Sequence, residues 1–415
     1  MVSRIFFGWW VVSAAVTGMA LSIAPIAILS LGLFMKPLAA EFGWERGDIS
    51  LAITLAALSL SFAMPVAGRL VDRFGPKRVL YPSILILGCL VASLYFLTES
   101  ILHLYISFIC IGIAGSGTGG VAYAKVVTNW FNRRRGLALG MTMAGVGLGN
   151  AIVAPYAQFL IELTGWRLAY VGLAVTMAAI TIPLVWLLLK ETPGEMGLRA
   201  DGDDHPAQQA GSESQQAYGL VAAQARKTHT FWIMLVAFVG IGLGVNGLGI
   251  HLVPMLTDWG MAASTAALVF SVSGLCTIIG RVGAGYLADR FFAPHVAIAF
   301  SACAVCSILL MLSGVVGPAA FLIGVMLGLG SGGNPNIIAY LISRYFGTRS
   351  YGELYGSVYG IHIIGSGLSP LVLGLGYDAM GSYTGVLVAY AALIVAAAAM
   401  LLFLREYPDW NRDAG

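Results

Sequence analysis

Charge is scarce in this chain. Asp, Glu, Lys and Arg together make up 10% of its 415 residues, where a soluble globular chain has about 25%. Hydrophobic residues make up 59%, and the mean hydropathy is +0.86. That deficit excludes a soluble globular domain and points to a polytopic, all-α membrane protein. No nucleic-acid-binding motif is present. The net charge of +3 says little about partners, because the distribution of charge outweighs its sum. Residues Met1 to Phe7 carry one arginine and no A-x-A-like cleavage site, so the first apolar stretch reads as a retained helix rather than a cleaved signal. Cysteine is scarce too: the five fall inside apolar stretches. Cys303-Ala-Val-Cys306 has C-x-x-C spacing, but residues 298–312 offer no other ligand type. A four-ligand metal site cannot be assembled there, and neither a metal nor a cofactor is expected.

What is present is a series of long apolar runs. Twelve can be counted, at about 8–37, 49–71, 78–98, 102–128, 137–163, 167–189, 230–257, 263–288, 294–314, 317–343, 353–377 and 383–404. Each meets or exceeds the roughly 20 residues that cross a bilayer. Between the sixth and seventh lies a polar stretch from Glu191 to Thr230, with Gly202, Asp203, Asp204, Pro206 and a Ser/Gln-rich run. It reads as a linker with one short amphipathic helix near Leu220–Arg226.

Lys and Arg fall almost wholly on one side of this layout. Arg4, Arg69, Arg73, Lys77, Arg78, Arg133 to Arg135, Lys190, Arg290, Arg344 and Arg405 share a side, while the other holds Lys36, Arg46 and Arg167. Positive charge marks the cytoplasm, so both termini and the linker are expected there, in a multi-pass protein of the cell's inner (plasma) membrane. Tryptophans such as Trp9, Trp130, Trp166 and Trp232 lie near span ends, as interfacial anchors do.

The chain also repeats itself. Gly68-Arg-Leu-Val-Asp72-Arg73-Phe74 matches Gly285-Tyr-Leu-Ala-Asp289-Arg290-Phe291, and Gly136, Gly140 and Gly149 match Gly352, Gly356 and Gly365. Both offsets are about half the chain. The expected organisation is two six-helix halves, 1–190 and 230–415, joined by a cytoplasmic linker, 191–229. Such repeats place a site between halves near the midplane.

Few charges lie inside the spans. All 19 acids can be placed in loops, linker, tails or span ends, and apart from residues at span ends, such as Lys36, Arg69 and Arg167, the basic side chains within spans are Arg281 and Lys125. Arg281 precedes the polar end at Asp289 by eight residues, about 12 Å of helix, in a hydrocarbon core about 30 Å thick. Burying an arginine there costs roughly 2.5–3.5 kcal/mol, and an anionic ligand would offset that. Its guanidinium offers a carboxylate two parallel hydrogen bonds; the structural alternative is an arginine that snorkels or bonds helix carbonyls. Ser273, Thr277 and Arg281 recur at helical spacing, so one face is polar. Lys125, eight residues before Arg133, is explained by snorkelling or by a substrate contact.

His362 lies at a depth similar to Arg281, ten residues from Gly352, and shares a face with Tyr355, Tyr359 and Ser366. It is either a titrating group or a neutral histidine bonded to a tyrosine or carbonyl. His251 reads as structural or gating. Gly328-x-Gly-x-x-Gly333-Asn334-Pro335-Asn336 and Gly115-x-Gly-x-x-Gly120 match the dinucleotide fingerprint by letter, but neither follows a strand. Small residues let membrane helices pack closely. Asn334, Asn336, Tyr340 and Tyr123 are candidate polar contacts for a small ligand.

Gly68-x-Leu-x-Asp-Arg-x-Gly-Pro-Lys-Arg, echoed by Gly285-x-Leu-x-Asp-Arg, resembles the loop signature of the major facilitator superfamily. Phe7-Gly-Trp-Trp-Val-Val, Trp130-Phe-Asn-Arg-Arg-Arg-Gly-Leu-Ala-Leu-Gly and Glu191-Thr-Pro-Gly-Glu-Met-Gly-Leu resemble segments of the monocarboxylate transporter family and its relatives, the oxalate/formate exchangers. The resemblance implies the major facilitator fold and a secondary transporter, not an enzyme. It also implies proton-coupled symport of a small monocarboxylate such as lactate or pyruvate, by a monomeric unit in the bilayer. Arg281 falls in the eighth span, where family members carry a carboxylate-binding arginine. Leu29 falls where animal members carry a lysine, and Thr277 where they carry an aspartate. Both departures remove proton-coupling groups and leave His362 or the substrate carboxylate for that role. His362 also falls near the second cation of the oxalate exchanger, so carboxylate exchange is the alternative. The implied substrate set is Arg281, Asn336, Tyr340, Tyr123, Leu29 and His362. A membrane enzyme would need a third partner for His362, and a sensor would need an effector domain; neither is visible.

Overall fold

The structure is a computed structural model that describes residues 6–202, 218–315 and 317–408, the side chains of Arg46, Gly202, Ala263, Ser264, Ala267 and Asp378 excepted. Among the described residues it is all helical, apart from one isolated bridge between Gly219 and Gly347. Eleven helical stretches among the described residues are long and apolar enough to cross a membrane.

The helices are α1 (Gly8–Ala20), α2 (Leu31–Phe42), α3 (Arg46–Phe74), α4 (Pro76–Ser93), α5 (Ile101–Gly115), α6 (Gly120–Trp130) and α7 (Arg135–Leu188). After the linker come α8 (Ala222–Ala225), α9 (His229–Asp258), α10 (Ala263–Ala288), α11 (Ala293–Leu312), α12 (Phe321–Tyr345), α13 (Tyr351–Met380) and α14 (Thr384–Met400). With 54 residues, α7 would measure about 81 Å as one rod, far beyond a bilayer. It is two spans: Gly165, at φ +81°, breaks it in a conformation that glycine adopts without steric cost. The twelve apolar runs and the eleven helical stretches are thereby reconciled.

Spans one and four are interrupted. The first runs from α1 through a π-helical segment, Ala24–Leu29, into α2. Pro25 is the second residue of that segment and supplies no N–H to the ladder. The fourth ends α5 at Gly115 and restarts as α6 at Gly120, the turn between them held by Ser116 N–H to Ile113 O (3.2 Å) and Thr118 N–H to Gly115 O (3.1 Å). The glycine pattern read as a packing stripe is a break in the helix as well.

The chain forms two compact units, Met1–Gly219 with Gly347–Gly360, and Leu220–Phe346 with Ile361–Gly415. Within the first, α1 packs on α7 and α3 on α5. Backbone approach is close. A Cβ on Gly145 would lie 2.4 Å from Val16 O, one on Gly149 2.1 Å from Ala20 O, and one on Gly112 2.4 Å from Ala56 O. Only a hydrogen fits such gaps, so these positions require glycine.

Within the second unit, α10 packs on α12 through a ladder with constant offset. A Cβ on Gly324 would meet Val269 O at 2.4 Å, on Gly328 Ser273 O at 2.3 Å, and on Gly332 Thr277 O at 2.2 Å. The pair Gly328–Ser273 is the repeat partner of Gly112–Ala56, which is the two-half symmetry in atomic form. The tryptophans behave less uniformly than expected. Trp232 is exposed, but Trp130 is fully buried and donates its Nε1–H to Lys190 O at 2.7 Å. Its ring is a packing element, held where the chain leaves the sixth span.

Candidate functional site

In the second unit the glycine ladder continues for one more rung, and there it becomes polar. Asn336, four residues after Gly332, donates from Nδ2 to the carbonyl of Arg281, four residues after Thr277, at 2.6 Å. Arg281 is half-buried on α10, and Asn336 is 1% exposed. The Oδ1 of Asn336 is buried and meets no hydrogen-bond donor among the described residues. One turn before Arg281, Thr277 donates to Ser273 O at 2.9 Å and lies 3.1 Å from Ser331 Oγ. Ser273, Thr277 and Arg281 thus approach α12 through their main-chain carbonyls, and Thr277 through its hydroxyl as well. Asn334 is spent differently: its Nδ2 bonds its own helix at Gly330 O, 3.1 Å.

Tyr340 follows one turn after Asn336 and is buried. Its Oη accepts from Arg344 Nε at 3.2 Å and Nη2 at 3.1 Å. Arg344 also lies over the ring of Tyr407. Tyr407, beyond the last span, accepts the Ala293 N–H at 3.0 Å; burial pushes its phenol up, so it stays neutral.

His362 is 5% exposed on α13. Its Nδ1 lies 2.8 Å from Phe238 O on α9, against Gly242, where a Cβ would come within 2.7 Å of the ring. A carbonyl only accepts, so Nδ1 carries the hydrogen and the lone pair of the neutral ring is on Nε2. Farther along the same helix pair, Asn246 Nδ2 donates to Ser366 Oγ at 2.9 Å. His251 is placed by Tyr383 Oη at 3.3 Å and Pro370 O at 3.2 Å, which fits a structural role. The unit brings Arg281, Asn336 and Tyr340 onto the α10/α12 pair and places His362 on α9/α13.

In the first unit Tyr123 is fully buried on α6. Its Oη fills the notch left by Gly18 of α1, where a Cβ would lie 2.1 Å away, and has no hydrogen-bond partner among the described residues. Leu29 ends the π-helical segment of span one and is 54% exposed.

Sequence reasoning missed the setting of Lys125. Its Nζ is ion-paired with Asp72 of α3, a partner that was not among the readings made from the sequence. Asp72 in turn accepts the Gly352 N–H on Oδ1 (3.0 Å) and the Glu353 N–H on Oδ2 (2.9 Å), at the start of α13. Glu353 pairs with Arg69 at 2.9 Å. The signal was available: Asp72 belongs to the repeated loop motif, and Lys125 is a cation within reach of that end of its span. Elsewhere, no group of three metal-ligating side chains occurs among the described residues, and Cys303 and Cys306 are free thiols.

Twelve apolar spans in two repeat-related sets, with buried polar side chains on a few helices, define a multi-pass membrane transporter fold. The family model of the Major Facilitator Superfamily matches residues 5–362 and, a second time, 253–414; the chain belongs to that superfamily. Its relatives include Monocarboxylate transporter 13 of Bos taurus, 27% identical over 408 residues, covering 97% of this chain and 90% of that protein. Monocarboxylate transporter 11 of Mus musculus is 31% identical over 299 residues, 69% of this chain and 61% of that protein. In fold the chain is similar to the crystal structure of the fucose:proton symporter of E. coli, with a TM-score of 0.67 at 19% identity, covering 96% of this chain and 98% of that one.

Proposed function

We propose that the protein is a secondary transporter of small monocarboxylates of the lactate and pyruvate kind. It works by proton-coupled symport in the cell's inner membrane, with both termini cytoplasmic. The observation that carries this reading is Arg281, a half-buried cation in the middle of an apolar span. Its helix is held by a glycine ladder and by the Asn336 amide. A guanidinium held there can bind a carboxylate in a low-dielectric setting, where the pairing is strong. The relation to monocarboxylate transporters over 97% of the chain supports the substrate class.

In this reading Arg281 neutralises the carboxylate. Asn336, Tyr340 and Tyr123 serve the hydroxyl or keto oxygen, and Leu29 contacts the apolar end. His362 carries the proton on Nε2 while Nδ1 remains on Phe238 O. The moving halves are 1–190 and 230–415, joined by the linker 191–229, and transport proceeds by alternating access.

Uptake of labelled lactate into proteoliposomes under an inward proton gradient tests the proposal. Saturable uptake that Arg281→Ala abolishes is expected; absence of uptake, or full uptake by that variant, overturns it. Carboxylate exchange of the oxalate/formate type is the second reading, because His362 would supply a second cation when protonated. It predicts uptake that needs internal anion and ignores the proton gradient.

A further inference from the structure

A groove in the first unit is not used by the transport reading. It runs along α3, α4 and α5 as two adjoining cavities of about 540 and 430 Å³ that share Leu70, Val79, Ser83 and Ile86. Its walls are apolar and outward-facing: Phe62 is 72% exposed, and Val66, Ile86 and Ile113 are each 53% exposed. In a membrane protein such a surface faces acyl chains. From Phe74 at one end to Ser59 at the other, α3 advances by fifteen residue steps, about 22 Å. That exceeds the roughly 15 Å of hydrocarbon in one leaflet.

Three features distinguish the groove from ordinary lipid-facing surface. First, its mouth is basic. Arg78 lines it, is exposed and makes no ion pair among the described residues. Arg73 lies 5.2 Å above the ring of Phe74, which also lines the mouth. The acids nearby are already engaged: Glu191 accepts the Lys77 N–H at 2.8 Å, and Asp72 is paired with Lys125. Second, Ser83 lines both cavities, five residues below Arg78, about 7.5 Å along α4. Its hydroxyl makes no hydrogen bond among the described residues. That is the depth at which the glycerol ester carbonyls of a phosphate-anchored lipid lie. Third, the floor is the break in span four: Ser116 and Gly117 line the groove, and a Cβ on Gly117 would come within 2.1 Å of Ser83 Oγ.

We infer that this groove holds one anionic phospholipid. Its phosphate is set between Arg78 and Arg73, an ester carbonyl accepts from Ser83 Oγ, and one acyl chain lies along Phe62, Val66, Ile86 and Ile113. Basic phosphate anchor, hydroxyl donor and apolar trough follow one another in the order of the lipid's own parts. The lipid would brace the junction between α5 and α6, and so the helix that carries Tyr123.

Native mass spectrometry of the full-length protein in detergent tests this, with dioleoylphosphatidylglycerol or dioleoylphosphatidylcholine titrated in. Wild type is expected to bind the first phosphatidylglycerol at least fivefold more tightly than the first phosphatidylcholine. Arg78→Gln should lose about fivefold in that binding, and Ser83→Ala about threefold. Ala114→Phe, which fills the trough, should lose the tight lipid altogether while remaining monodisperse; if it does not fold, Ala63→Leu takes its place. Equal binding of the two lipids by wild type, or an unchanged first lipid in the filled variant, overturns the inference. So does displacement of the lipid by millimolar glycerol phosphate, which would make the site a phosphate site alone.

Discussion

Asn336 donates a hydrogen bond from Nδ2 to the main-chain carbonyl of Arg281 at 2.6 Å. It is the fourth rung of a ladder whose other three rungs are glycines against carbonyls. Side-chain identity changes at the depth where the cation stands, so one helix contact both packs α10 and sets the height of Arg281. Asn336→Leu is expected to cost about 0.5–1.5 kcal/mol and to raise the lactate KM more than it lowers stability. Asn336→Gln, which reaches farther, should restore only part. Uptake kinetics beside unfolding midpoints in detergent check this; equal losses in both would mean the amide only packs.

The glycine rungs make a sharper stability prediction. A Cβ on Gly328 or Gly332 would sit 2.2–2.3 Å from a carbonyl oxygen, and neither backbone can retreat without opening the helix pair. Gly332→Val is expected to destabilise by about 1–3 kcal/mol or more. Gly274 of α10 has nothing within 4 Å of its Cβ position, so Gly274→Ala should not lower the midpoint and, by removing a helix-interior glycine, should raise it slightly. Thermal unfolding of both variants side by side distinguishes close packing from a general intolerance of larger residues in α10 and α12.

Much of this architecture was legible in the residues. Long apolar runs announce spans because backbone polar groups in lipid must be satisfied within the helix. The repeated Gly-x-Leu-x-Asp-Arg loops announce the two-half symmetry. Gly165 was less legible: its effect depends on φ, which composition does not reveal, and it is the non-helical residue at which the helices of the fifth and sixth spans meet. The interruption at Ser116–Gly119 was visible as letters but not as a break, since glycine serves both close packing and chain reversal. Four-residue spacing aligned Ser273, Thr277 and Arg281 along α10, and Asn336 and Tyr340 along α12; that α10 and α12 pack together was not legible. The Lys125–Asp72 pair did not emerge, because its partners are 53 residues apart and sequence spacing says nothing of contacts between helices.

That pair gives a testable coupling. Both side chains are nearly buried, 12% and 13% exposed, and Asp72 also holds two N–H groups at the start of α13. Removing one partner leaves the other charge poorly solvated, so Lys125→Met and Asp72→Asn should each destabilise by about 3–5 kcal/mol. The double variant should be less damaged than the sum, by an interaction energy of about 0.5–3 kcal/mol. Asp72→Asn retains one acceptor oxygen for Gly352 or Glu353; Asp72→Leu retains none and should be the worse of the two. A double-mutant cycle read by unfolding in detergent gives the coupling directly, and strict additivity would mean the pair is incidental.

His362 provides the prediction on coupling. Its Nδ1–H is fixed on Phe238 O at 2.8 Å, so protonation at Nε2 requires no rearrangement of that bond. His362→Gln can still donate an amide hydrogen to the Phe238 carbonyl but cannot take up a proton near neutral pH. It is therefore expected to fold and bind lactate, yet to lose accumulation driven by a proton gradient while retaining exchange of internal for external lactate. His362→Leu removes the donor as well, leaves the carbonyl without this bond and should lower the unfolding midpoint by about 1–3 kcal/mol equivalent. Measuring accumulation and exchange in the same proteoliposomes separates the two roles. Full gradient-driven accumulation by His362→Gln would assign the histidine to packing and leave the substrate carboxylate as the proton carrier.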